Sequence, residues 1–139
     1  MVRRPGGFTY LGVLLAIALL GVSLSITAEV WTTTAHRQKL VEVEFVGQQY
    51  VLAIASYYDS SWGGPKVLPK DISDLLEDRR GPVIRRHLRR IYLNPFTGSQ
   101  AWRPINASQG GIEGVEIAIP SRGGEQEVRR FLFRPSATQ

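Results

Sequence analysis

The sequence predicts an α+β fold: a long N-terminal helix, apolar first and amphipathic later, packed by a small antiparallel β-sheet with short helices between. Three observations carry this. No proline occurs between residues 8 and 61, so one helix can run through them. Within that stretch, apolar or small residues recur at Leu40, Val43, Gly47, Tyr50, Ile54 and Tyr57, three and four apart by turns, which is one stripe of a helix. Beyond residue 100 the period changes to two, between glycine pairs, as in strands joined by tight turns.

The chain opens with a basic leader, residues 1–7, followed by an uninterrupted apolar run over residues 8–28. No Asp, Glu, Lys, Arg or His lies between Arg4 and Glu29. As a helix, residues 8–28 measure roughly 31 Å at about 1.5 Å of rise per residue, which matches a hydrocarbon core of about 30 Å. This predicts the transmembrane half of a stem. Arg3 and Arg4 precede the run, whereas Glu29, Arg37, Lys39, Glu42 and Glu44 follow it, so the positive-inside bias places the N-terminus in the cytoplasm and the bulk outside. A conventional secretory signal has a shorter apolar region and a small-x-small cleavage site, for which Ser25-Ile26-Thr27 and Ile26-Thr27-Ala28 are weak matches. The residues around Arg3-Arg4 do not support a twin-arginine signal. Gly6-Gly7 can equally be a flexible lead into a plain anchor.

Residues 29–61 form the amphipathic half of the stem, with Arg37, Gln38, Glu42, Glu44, Gln48 and Gln49 mostly between the stripe positions. Together the two halves make a rod of about 50 residues, roughly 75 Å long. Gly21 lies mid-span, where a glycine permits either local extension or close packing of another helix. Gly63-Gly64-Pro65 ends the stem, and residues 62–139 are left for a small globular α/β head.

In the head, Asp71 is the N-cap expected for a short helix carrying Ile72, Leu75 and Leu76 inward, with Asp71 and Asp74 near its positive end. Arg79-Arg80-Gly81-Pro82 breaks it. A second short helix is expected over residues 83–91, with Ile84, Leu88 and Ile91 inward and Arg85, Arg86, Arg89 and Arg90 on its polar face. Pro95 and Gly98 set a turn over residues 92–98. Three strands are expected at residues 101–105, 114–119 and 128–134, the second pointing Val115, Ile117 and Ile119 to one face and the third Phe131 and Phe133.

Lys and Arg number 17 against 12 Asp and Glu, a formal charge of +5, and 14 of the 17 are arginine. Removing the leader takes Arg3 and Arg4 and lowers the balance to +3. The rest of the excess is concentrated in Arg79, Arg80, Arg85, Arg86, Arg89 and Arg90, of which Arg85, Arg86, Arg89 and Arg90 make a charged contact face that can meet the acids of residues 71–78 or an acidic neighbour; nucleic acid is not the expected partner. The chain has no cysteine, so disulfides and thiolate metal sites are excluded. His36 and His87 stand in no ligand spacing and read as polar-face residues, and no nucleophile motif or phosphate-binding glycine loop is present. Neither catalysis, nor a cofactor, nor a metal is expected.

The run Gly7-Phe8-Thr9-Tyr10-Leu11, with the basic leader before it and the apolar helix after it, resembles the class III signal of type IV pilins and of the pseudopilins of type II secretion systems. The turn over residues 92–98 resembles the Asp-Pro-aromatic-x-Gly turn that many pseudopilins place before their C-terminal sheet, with Asn94 in place of Asp. The resemblance implies cleavage after Gly7 by a prepilin peptidase and methylation of Phe8 as the new N-terminus. It implies a structural subunit of a periplasmic pseudopilus supporting protein secretion, held in a bacterial inner membrane by a single pass. Its partners would be other pilin-like subunits and an inner-membrane platform with its ATPase. One departure stands out: the fifth mature position, usually a glutamate that pairs with a neighbour's N-terminus, is Gly12. A buried carboxylate is kept in a membrane only for a partner, so Gly12 removes the usual assembly contact and leaves open a tip, minor or divergent subunit. A minor type IV pilin is one alternative. A single-pass anchored binding domain using its arginine-rich helix is the other.

Overall fold

The computed structural model describes residues 8–121 and 124–135; within its first helix, the side chains of residue 8 and residues 22–33 lie outside the description. Its elements are α1 (Phe8–Asp59), α2 (Ser73–Leu76), β1 (Arg103–Asn106), β2 (Ile112–Pro120) and β3 (Gln126–Leu132). The fold is α+β, with the strands in one antiparallel sheet ordered β1-β2-β3. The chain divides into two compact units, Met1–Gln38 and Lys39–Gln139. The first is helical where described.

The second unit holds the core. The stripe on α1 faces inward as its spacing requires: Val43, Gly47, Tyr50, Ile54 and Tyr57 are buried, joined by Val46 and Ala53. Against them lie Val115, Ile117 and Ile119 of β2, Phe131 of β3, Trp102, Leu75 and Leu88. β2 is buried along most of its length because it is bonded on both edges and must turn one face to the helix. Its other face stays half-open, and there Glu116 sits directly across from Arg130 and accepts from its Nε at 3.1 Å.

Two glycines make the close fit. A Cβ on Gly47 would fall 2.5 Å from three ring carbons of Phe131, so the ring lies flat over this point of α1 and only a glycine admits it. On β2, a Cβ at Gly114 would run into the Phe131 carbonyl oxygen. Gly110 and Gly111 take positive φ in the β1–β2 connection, where Gly110 donates to Ala107 O and Ala107 to Gly111 O.

The strands begin and end within a few residues of the expected ones. The expected helix over residues 83–91 does not form. Gly81-Pro82 folds the chain back, so that Asp78 and Arg85 exchange backbone hydrogen bonds of 2.8 and 3.1 Å, and the N–H groups of His87 and Leu88 both donate to Leu75 O. Those donors are therefore unavailable for an i→i−4 ladder, and tertiary pairing overrides the helical spacing. Ile84 is consequently exposed rather than inward, while Leu88 is buried and Ile91 half-buried.

The start of α2 is displaced as well. The residue flanking the helix is Ile72, which has no capping side chain, and Asp71 acts from one position earlier by accepting from Ser73 N at 2.9 Å and Ser73 Oγ at 3.0 Å. These bonds favour its charged form and hold the Asp71 carboxyl below the usual range. Asp74 accepts in turn from the N–H groups of Lys70 and Asp71.

Candidate functional site

Three places carry the residues from which a function can be built. The first is the N-terminal part of α1. From Tyr10 to Leu20 its large apolar side chains are all exposed, on every side of the helix. An all-round apolar helix is stable only when something apolar surrounds it. Gly12 and Gly21 lie in this segment, and a Cβ at either would meet nothing, so each leaves a notch of bare backbone to which another helix can approach. Gly7 lies outside the described residues, as does the side chain of Phe8. Among the described residues no helix is long and apolar enough to cross a membrane. The side chains described in this segment end at Gly21, roughly 20 Å along the helix from Thr9.

The second is the arginine loop. Arg85, Arg86, Arg89 and Arg90 are all exposed, but on an irregular loop rather than along one helix face. None of the four lies within ion-pair distance of a carboxylate among the described residues. The acids of residues 71–78 are engaged otherwise: Glu77 by Arg79 at 2.7 Å and Asp78 by Arg80. Arg85 stacks on the Trp62 indole, 4.6 Å from its centroid, and Arg90 on Tyr92 at 5.4 Å.

The third is a polar cluster, buried at Asp78 and His87, that the sequence did not announce. His87, expected on a polar face, is instead enclosed, with its side chain 4% exposed and that of Asp78 1% exposed. The reason is the fold-back at Gly81-Pro82, which drives residue 87 under the end of α1. His87 Nδ1 lies 2.8 Å from Ser56 Oγ, and Nε2 lies 3.3 Å from Asp78 Oδ2. Asp78 also accepts from Arg80 Nε at 2.8 Å, Arg80 Nη2 at 2.7 Å and the Arg80 N–H at 3.0 Å. The Arg80 side chain beside it, foremost, holds the Asp78 carboxyl far below the usual carboxylate range, against the opposing effect of burial. Arg80 then donates to Tyr57 O at 2.7 Å and lies 3.5 Å above the Tyr57 ring.

A serine, a histidine and an aspartate in hydrogen-bonded series invite comparison with a hydrolytic triad. The surroundings differ in what matters chemically. Ser56 sits inside α1, where neighbouring N–H groups are engaged in the helical ladder, so no donor pair is free beside it to hold an oxyanion. The Asp78 carboxylate, which would orient the imidazole, is already clamped by a guanidinium. The arrangement fastens the loop to the helix. No metal-holding group of His, Asp and Glu occurs among the described residues.

Asn94 shows why the turn over residues 92–98 carries an amide. It is buried, its Oδ1 accepts from Phe96 N at 2.8 Å, and its Nδ2 donates to Ala118 O on β2 at 3.3 Å. An ionised aspartate could accept the first bond but not supply the second. Comparison with known proteins returns no match: no family model, no curated protein and no solved structure is similar to the chain.

Proposed function

We propose that this chain is a pilin-like structural subunit, a pseudopilin of a type II secretion system or of a related type IV filament. Residues 1–7 are a leader removed by a prepilin peptidase after Gly7, Phe8 becomes the methylated N-terminus, and residues 8–28 hold the subunit in the inner membrane with its head in the periplasm. The observation that carries this reading is the N-terminal part of α1, whose large apolar side chains from Tyr10 to Leu20 are exposed on every side, in a stretch of sequence with no Asp, Glu, Lys, Arg or His between Arg4 and Glu29. Its work is mechanical. A platform and its ATPase draw the subunit out of the bilayer, and the apolar stem exchanges lipid for the stems of neighbours, which keeps it out of water throughout.

Without a carboxylate at position 12, neighbours find register by another contact. The bare backbone at Gly12 and Gly21 suits close helix approach, since a missing Cβ on both sides of a crossing lets the axes come together. This favours a minor or initiating subunit over one that fills a filament by charge pairing. A plain membrane-anchored binding domain, supported by four exposed arginines that meet no carboxylate among the described residues, is the rival reading. Co-expression with a prepilin peptidase separates them: the wild-type chain should shorten and a Gly7→Trp chain should not. Equal maturation of both would overturn the assignment.

A further inference from the structure

We propose that the arginine loop, residues 79–90, is a docking site for an acidic segment of another protein. Carboxylates of that segment would enter a cleft of about 390 Å³ bordered by Arg86, Arg89 and Arg90, with Leu76 and Ile91 in its wall. The inference does not rest on the pilin-like reading, since it concerns the head alone.

Residue type is the first support. Residues 79–90 contain six arginines and neither an acid nor a lysine. Guanidinium is a rigid fork that meets a carboxylate through two parallel bonds, and it is more weakly hydrated than ammonium, so it suits a contact from which water is removed. The two arginines whose roles are internal, Arg79 and Arg80, already hold Glu77 and Asp78. Glu77 lies in the wall of the cleft and feels both Arg79, at 2.7 Å, and Arg86, so that with Arg89 and Arg90 the lining keeps a net positive charge.

The backbone beneath them is held in place. The Asp78–Arg85 bridge, the two N–H groups donating to Leu75 O and the buried side chain of Leu88 pin the loop to the core. A fixed backbone reduces the ordering entropy lost on binding.

The aromatic rings distinguish a protein partner from a nucleic acid. Single-stranded nucleic acid binds basic grooves by stacking bases on exposed rings. Here each ring beside the loop already carries an arginine, Tyr57 Arg80, Trp62 Arg85 and Tyr92 Arg90, and of the three only Trp62 stays largely open, at 46% exposure. What the loop offers instead is aliphatic surface, Val83 and Ile84 at 65% and 58% exposure. Arginines beside exposed aliphatic side chains are the composition of a protein contact, in which an apolar side chain of the partner covers the tip while its carboxylates meet the cleft. A second copy of this chain is disfavoured, because Lys39–Gln139 itself carries 14 basic against 11 acidic side chains.

The test uses the full chain in zwitterionic nanodiscs, with three labelled probes followed by anisotropy or co-sedimentation: an end-capped Glu/Leu peptide, a single-stranded DNA oligonucleotide, and vesicles containing phosphatidylglycerol. The peptide should bind. Arg86→Gln/Arg89→Gln/Arg90→Gln should weaken it roughly tenfold or more, and the corresponding triple lysine variant should recover only part of the loss, because a point charge lacks the fork. Val83→Ser/Ile84→Ser should weaken the peptide while leaving any DNA signal unchanged. All five side chains are exposed and their near-UV spectra should match wild type, so a lost signal is not a lost fold. Peptide affinity unchanged in the triple glutamine variant would overturn the proposal. So would tighter binding of DNA or vesicles than of peptide, with the lysine variant equal to wild type.

Discussion

Replacing Gly47 with alanine sets two effects of opposite sign against each other, and the structure says which wins. In an exposed helix interior, glycine to alanine stabilises by about 1 kcal/mol, because alanine loses less backbone entropy on folding. At Gly47 the added methyl would stand 2.5 Å from three ring carbons of Phe131. Rotating that ring about its own axis gives no relief, since its face and not its edge lies over the helix. The ring must move as a whole, yet it is 9% exposed and has Trp102 at 6.0 Å between centroids. Overpacking of this kind costs about 1–3 kcal/mol, which less the helical gain of about 1 kcal/mol leaves a net loss of up to about 2 kcal/mol. For a unit of this size that lowers the midpoint by roughly 4–8 °C per kcal/mol. Thermal unfolding followed by Trp102 fluorescence in Trp31→Phe/Trp62→Phe background reads it directly. In a Phe131→Leu background the same alanine should be harmless or stabilising, a coupling expected only if the two positions touch. A Gly47→Ala chain more stable than wild type by the full helical gain of about 1 kcal/mol would refute the packing of β3 on α1.

Three further outcomes follow from other sites. Gly12→Ala and Gly21→Ala, where a Cβ meets nothing, should leave the isolated subunit as stable as wild type or slightly more so, yet reduce pilin-like assembly by crowding a helix crossing; full assembly of the double variant in a fibre-formation assay would remove these glycines from the contact. Asp78→Asn should destabilise by about 3 kcal/mol at neutral pH, by leaving Arg80 without its carboxylate, as read by urea unfolding. Because the folded Asp78 carboxyl is depressed, its contribution is present above the unfolded value near 4 and is lost as pH falls below that value towards the folded one; wild type and variant should therefore converge in acid, and a constant gap down to strongly acidic pH would contradict the clamp. Asn94→Asp should destabilise by about 1–3 kcal/mol at pH 7, since a buried carboxylate faces Ala118 O without a proton to give, and the deficit should shrink as acid restores a donor. Unfolding of that variant at pH 7 and pH 4 decides it; a deficit that grows in acid would be wrong for this bond.

Much of the fold was legible because it is written in periodicity. The 3/4 spacing from Leu40 to Tyr57 faces the core in the structure, and the alternation of Val115, Ile117 and Ile119 identifies the inner face of β2. What failed was the stretch over residues 83–91, whose spacing is equally helical but whose N–H groups are taken by Asp78 and Leu75. Long-range backbone pairing leaves no mark on local spacing. The cluster of Ser56, Asp78, Arg80 and His87 was invisible for the same reason, because its members come from α1 and from both arms of a fold-back, up to 31 residues apart. Arg80 could not be told from its neighbours by sequence, although it is fastened to Asp78 and Tyr57 while Arg85, Arg86, Arg89 and Arg90 make no ion pair among the described residues. The N-terminal segment was read from composition alone; the structure shows its large apolar side chains from Tyr10 to Leu20 exposed, and among the described residues no helix is long and apolar enough to cross a membrane.

The central proposal is that the junction after Gly7 is cut to release a stem for assembly, and intact-mass analysis of the chain recovered from cells with active prepilin peptidase tests it most directly. The proposal predicts a single species lacking residues 1–7 and carrying one added methyl group on the amine of Phe8. Recovery of the chain with its leader intact, or cut anywhere other than between Gly7 and Phe8, would contradict it.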